Sequence, residues 1–183
     1  LHLARWLSQA ERLWRAHRRS DMTFQKQLDY YGKLSAQFPT HHLRVAYAAS
    51  GTLPAVTLLT DPEAICEHAL YWTAVETEQE GLYLTAILNS ETARARVAKH
   101  QALGQWGARH FDKVMLSLPI PTFNAKDSLH QRLTRAARRA ARVSAAVELR
   151  EGEHFVRARQ RIRAALREDG VDQAIDRLVA ELL

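Results

Sequence analysis

Apolar residues near the start of the chain recur every three or four positions. Leu3, Trp6, Leu7, Ala10, Leu13, Trp14 and His17 share one side of a helical wheel, with Arg5, Arg12, Arg15 and Arg19 on other faces, which predicts an amphipathic helix. Thr23 then offers an N-cap to a second helix carrying Phe24, Leu28, Tyr31, Leu34 and Phe38, stopped by Pro39. The period changes to two at Leu43, Val45 and Tyr47, a strand pattern. Ser50 to Pro54 reads as a turn and Val56 to Thr60 as a second strand. His68 to Val75 reads as a third strand, largely buried.

Thr77-x-x-Glu80 has the form of a capping box opening a helix through Asn89 that is apolar on most sides and therefore buried. Ser90 caps a further helix running to about Ala102, and residues 103–112 form a loop with two glycines. Val114, Leu116 and Leu118 alternate as one more strand, ended by Pro119 and Pro121. From Asp127 onward the pattern is helical. Leu129, Leu133, Ala136, Ala140, Val143 and Val147 form one stripe, and Arg132, Arg135, Arg138, Arg139 and Arg142 another. A helix over 152–168 is closed by Gly170, and Val171, Ile175, Leu178, Val179 and Leu182 stripe the last one. The expected fold is α+β: a small sheet of short strands packed with helices, flanked by N- and C-terminal helical extensions. Its parts are an N-terminal helical segment (1–42), an α+β core (43–125) and a C-terminal helical region (126–183).

Charge adds a direction to this picture. The net charge of +6 is uneven: residues 126–167 hold twelve Lys/Arg against four Asp/Glu, and residues 1–20 five against one. Two basic ends suit a polyanion, and equally suit arginine as a good helix former on solvated faces. No run of about eighteen apolar residues is present and no signal peptide opens the chain, so a cytoplasmic protein without membrane contact is expected. The single cysteine, Cys66, reads as a buried, inert thiol. The chain starts at Leu1 without methionine and already within the helical pattern, so a fragment of a larger protein is expected.

Catalytic patterns are not found. Gly104-Gln105-Trp106-Gly107 follows a helix rather than a strand, so it lacks the context of a phosphate-cradling loop, and no Asn-Pro-Pro-aromatic motif occurs. Asp61, Glu63, Glu67 and Glu78 do not make a compact carboxylate set. His41, His42, His68 and Cys66 lack a zinc-ligand spacing, and Cys66 with His68 lacks an orienting group or oxyanion donor. No catalytic residue, metal ligand or cofactor-binding residue is assigned.

One ordered set of words remains: Leu88-Asn89-Ser90 at the end of a buried helix, the polar stretch Gln101 to Lys113, and Leu118-Pro119-Ile120-Pro121. Over residues 43–135 this set resembles the target-recognition domains of class-γ N6-adenine DNA methyltransferases and of fused, type IIG-like restriction–modification enzymes. More distantly, it is similar to type I restriction specificity subunits. With the catalytic patterns missing, the resemblance implies a non-enzymatic DNA target-recognition domain that binds duplex DNA through the 101–113 loop and the basic helices. The catalytic methyltransferase domain of the same parent chain would be its partner and would bind S-adenosylmethionine, with or without an added nuclease.

The residue chemistry of the loop fits that expectation. Gln101 and Gln105 suit adenine edges and Arg109 suits guanine. Lys99, His110 and Lys113 suit phosphates, which position without reading sequence. Trp106 fits either a sugar or base contact or a buried loop anchor, and His110 also fits an ordinary satisfied histidine. Arg44 is a further candidate contact, with a solvated strand face as its alternative. The competing reading is a helical docking module using the arginine stripe of 132–142 and the apolar stripe of 171–182. A basic RNA-binding domain fits less well, since no aromatic stacking platform is evident.

Overall fold

One helix, apolar on nearly every side, organises the molecule. The computed structural model describes residues 2–49, 55–67, 69–104, 107–110 and 112–183, apart from the side chains of 102–104, 107–110, 112, 113 and 116. In chain order the elements are α1 (His2–His17), α2 (Phe24–Leu28), β1 (Arg44–Ala48), β2 (Val56–Leu59), β3 (Leu70–Ala74), α3 (Glu78–Asn89) and α4 (Glu91–Ala98). They continue as β4 (Ala102–Gly104), β5 (Gly107–His110), α5 (Ser128–Ala145), α6 (Phe155–Asp169) and α7 (Val171–Leu182). The class is α+β, as the hydrophobic pattern predicts.

Strands β2, β1 and β3 form an antiparallel sheet in that order, with Val45 opposite Leu58 on one side and Thr73 on the other. Helix α3 lies between this sheet and the C-terminal helices. Its Leu88 joins Val45, Tyr47, Val56, Val97 and Met115 on the sheet side. Its Leu82, Tyr83, Ala86 and Ile87 pack with Leu133 and Ala137 of α5 and with Val171, Ile175, Leu178 and Val179 of α7. The helices after residue 126 thus supply half of the main core. Gly81 permits the close approach of α3 to the sheet, since a Cβ there would lie 2.5 Å from Leu58 Cδ1.

The local start and stop signals act where the sequence places them. Thr77 Oγ1 accepts from Glu80 N at 3.1 Å, although the Glu80 carboxylate reaches back to Glu76 N at 2.8 Å instead of to Thr77. Asp127 caps α5 through Leu129 N and His130 N, and Gly170, at φ 79°, ends α6.

Four elements differ from the sequence expectation. The helix expected to reach Phe38 stops at Leu28, because the Asp29 carboxylate accepts from Leu34 N and Ser35 N, both at 2.9 Å, and offers the backbone a turn instead. Tyr31 there has φ 57°, and short 3-10 turns follow at Tyr30–Gly32 and Ser35–Gln37. Strand β3 is an edge strand, exposed at both ends rather than largely buried. Helix α4 ends at Ala98, and the expected loop after it contains the paired strands β4 and β5. Lastly, the expected strand at 114–118 lies in a 3-10 turn, Asp112–Ser117, and Met115, out of phase with the alternation, is buried. Ser117 Oγ donates to Val114 O at 2.7 Å, an i,i+3 closure that no strand makes.

The expected turn at 50–54 lies outside the described residues. Helix α1 contains no buried residue, and Leu3, Trp6, Leu7 and Leu13 are exposed.

Candidate nucleic-acid interface

Leu88, Asn89 and Ser90 each perform a separate structural task. Leu88 is buried against the sheet. Asn89 Oδ1 accepts from Val56 N at 3.0 Å while its Nδ2 donates to Val56 O at 2.8 Å, so the amide completes the free edge of β2. Ser90 Oγ donates to Ile87 O at 2.7 Å and accepts from Ala93 N at 3.0 Å, closing one helix and opening the next. The first turn of α4 is also anchored to α7, since Asp176 Oδ1 accepts from Glu91 N at 2.7 Å.

With Ala93 and Val97 buried, this anchoring aims the other end of α4 outward. Arg96, Lys99 and His100 are exposed there. Together with Ser117, Leu118 and Pro119 they border a cleft of about 240 Å³. Among the described residues these three side chains have no carboxylate partner, so their donors are available to an external anion.

The chain then enters an antiparallel ribbon separate from the main sheet. His110 lies opposite Ala102 and Gly107 opposite Gly104. Leu103 pairs with Ala108, so Arg109 is the extra residue of a bulge. The backbone therefore brings Lys99, Gln101 and His110 together at the base of the ribbon, and Lys113 follows in the 3-10 turn that leads to the cleft wall at Ser117. Gln105 and Trp106 lie outside the described residues.

Two of the expected contacts are placed differently. Arg44 is fully buried in the central strand and is not a solvent-facing contact. Its Nη2 donates to Ala64 O at 2.6 Å and Asp61 O at 3.2 Å, and the guanidinium lies 5.9 Å from the Trp72 ring centre. Arg44 alternates to the face of β1 opposite the core residues Val45 and Tyr47, and this long cationic side chain is spent on holding the 61–64 loop. Gln101 is half-buried with its Nε2 buried and unpartnered among the described residues, so the donor that an adenine edge would need does not face solvent.

The exit Leu118-Pro119-Ile120-Pro121 is scaffold. Leu118 and Ile120 pack on both core clusters, and the Tyr83 hydroxyl donates to Pro121 O at 2.9 Å. The Tyr83 ring packs against His130 (4.6 Å between centres) and Phe123 (5.4 Å). Burial, and secondarily the Asp127 charge, push its phenol up to about 12. Cys66 is buried, its backbone N–H and C=O are both held by Gln37, and burial pushes its thiol up, consistent with an inert side chain.

Arg96 and His100 are the basic residues at this corner that the sequence reading passes over. Their signal was present: Arg96, Lys99 and His100 stand at i, i+3 and i+4. The arginine stripe of α5 is largely engaged within the chain, through Arg132 with Glu181 (3.4 Å), Arg138 with Glu78 (3.1 Å) and Arg139 with Asp169 (2.8 Å). No group of three or more His, Cys, Asp or Glu that could hold a metal ion occurs among the described residues, nor is any described helix long and apolar enough to cross a membrane. No family model, curated protein or solved structure matches this chain.

Proposed function

We propose that this chain is a DNA target-recognition domain that works with the catalytic part of an S-adenosylmethionine-dependent DNA adenine methyltransferase or restriction–modification enzyme in the cytoplasm. The observation that carries the reading is the β4–β5 ribbon with a basic base. A two-stranded ribbon is one of the two element types that the DNA major groove admits. Here it follows the outer end of α4, which bears Arg96, Lys99 and His100 and whose first turn is anchored to α7, and it holds Arg109 at a bulge. The helix end supplies phosphate contacts that set position, and the ribbon supplies base contacts that specify.

The test is selection of binding sites from a random duplex pool. The selected duplexes should converge on a short sequence. Arg109→Ala should relax the preference at one position, at about 1–3 kcal/mol of discrimination. Lys99→Ala should weaken all duplexes evenly and lower the slope of log affinity on log salt by about 0.9. No duplex affinity at low salt would sink the reading.

The docking alternative loses the two surfaces first considered for it, since the α7 stripe is core and most of the α5 stripe is ion-paired. One observation favours it in another place: the exposed apolar side of α1.

A further inference from the structure

Among the arginines after residue 126, those of α6 differ from those of α5. Arg161 is paired with Glu153 at 3.0 Å. Arg159, Arg163 and Arg167 have no carboxylate partner among the described residues, and they recur every fourth position on one face. Arg163 is half-buried. Within its electrostatic reach are Arg159, Arg167, Arg94 of α4 and one carboxylate, Glu91. That carboxylate is already engaged, because both of its oxygens are held by the Arg94 fork. Four guanidiniums thus face one committed acid, and burial together with its cationic neighbours lowers the Arg163 pKa from the ordinary guanidinium value. Arg159 is steadied over the Phe155 ring, 5.6 Å from its centre. A partly desolvated cation cluster lacking counter-charge is relieved by an external anion.

We propose that Arg159, Arg163 and Arg167 of α6, with Arg94 of α4 beside them, form a clamp for successive backbone phosphates of duplex DNA. This rests on the DNA-recognition reading and adds to it a second, sequence-independent contact surface. The row is about 12 Å long at 1.5 Å per residue, with neighbours about 6 Å apart, a spacing that suits one arginine to each of three successive phosphates of one strand. Arginine forks match phosphate oxygens in pairs. The row is a line of repeated charge, which fits a regularly repeating anion better than an acidic protein needing a buried anchor. Arg94 also belongs to the helix that carries Lys99, about 7.5 Å further along its axis.

The experiment is a salt series of affinity for a 30-base-pair duplex, at the length of about three helical turns, using the whole chain. The Arg159→Gln/Arg163→Gln/Arg167→Gln variant should lower the slope of log affinity on log salt by about 2.7, at about 0.9 per contact. The exposed Arg167→Gln change alone should lower it by about 0.9 and serves if the triple variant does not fold. Replacing all three by lysine should keep the slope. Arg132→Gln with Arg139→Gln should leave it unchanged, because those side chains are already paired. A salt-dependent wild type whose slope survives both the triple and the Arg167 changes overturns the clamp and leaves DNA recognition standing. A wild type with no salt-dependent duplex binding overturns DNA recognition, and the clamp with it. Loss of polyglutamate binding with an unchanged duplex slope overturns the clamp in favour of an acidic protein partner.

Discussion

The side-chain amide of Asn89 forms both hydrogen bonds of a strand neighbour with the backbone of Val56, accepting from its N–H and donating to its C=O. The last residue of α3 thereby closes the free edge of β2. Asn89→Ala should destabilise the chain by about 1–3 kcal/mol, the loss expected when two partly buried backbone groups are left without partners. Asn89→Asp keeps the acceptor but not the donor and should fall in between. Urea unfolding of the three proteins, with hydrogen exchange at the Val56 amide, checks this. Equal stability and unchanged Val56 exchange would mean that water serves the edge as well as Asn89 does.

Arg44 offers a way to separate stability from recognition. Truncation to alanine removes a fully buried side chain and strands the carbonyls of Asp61 and Ala64, so a loss of about 3 kcal/mol or more is expected. Arg44→Met fills the space without a charge, and Arg44 Nε and Nη1 have no partner among the described residues, so the packing part of that loss should be recovered while the two carbonyls stay without their donor. The salt slope of DNA binding by folded Arg44→Met should equal that of the parent chain; a reduced slope would return Arg44 to the contact surface.

Tyr83 predicts a pH dependence on the alkaline side. Its phenol is held up to about 12 in the folded chain against about 10 when unfolded. The unfolded chain therefore releases this proton first as pH rises, and the contribution is complete below about pH 10 and lost progressively between 10 and 12. With screening at the hydroxyl end allowed for, the loss is on the order of 1–2 kcal/mol. Tyr83→Phe should be less stable at neutral pH by about 1 kcal/mol, because Pro121 O loses its donor. Its stability should also change less between pH 10 and 12. Parallel profiles for the two proteins would remove Tyr83 as the cause.

Helix α1 should be dispensable for the core. It buries no residue, and its described ties to the following segment centre on Trp14, which donates to Met22 O at 3.0 Å and packs 6.5 Å from Phe24. Deleting residues 1–17 should leave the unfolding free energy within about 0.5 kcal/mol, the range of changes remote from packed features. In the intact chain, Trp6 fluorescence should be quenched freely by iodide. A protected Trp6 or a large loss of stability would show that the apolar side of α1 is covered in solution.

Much of this protein is determined by short-range rules that act within a few residues. Thr77, Ser90, Asp127 and Gly170 mark helix ends because the orphan backbone groups they satisfy are two to four positions away. The period of two at Val45 and Tyr47 and the apolar surround of α3 likewise reveal β1 and the buried helix. Where local signals conflict, tertiary packing decided. Met115 is buried in the sheet-side cluster, so the 112–117 segment turns where its alternation suggested a strand. Asp29 diverts a helical pattern into a turn, a competition that periodicity does not register.

The candidate interface divides in the same way. That residues 99–113 are polar and basic was legible, and so was the buried helix that ends at Leu88-Asn89-Ser90. That Arg44 is buried was not, because the 61–64 loop and Trp72 come to cover its face of β1 only in the folded chain. Nor did composition distinguish the arginines of α5 from those of α6. Glu181, Glu78 and Asp169 reach Arg132, Arg138 and Arg139 only after α7, α3 and α6 have packed around α5, whereas the one acid near Arg163 among the described residues, Glu91, is already held by Arg94. Charge is written in the sequence; which charges remain uncompensated is a property of the packed chain.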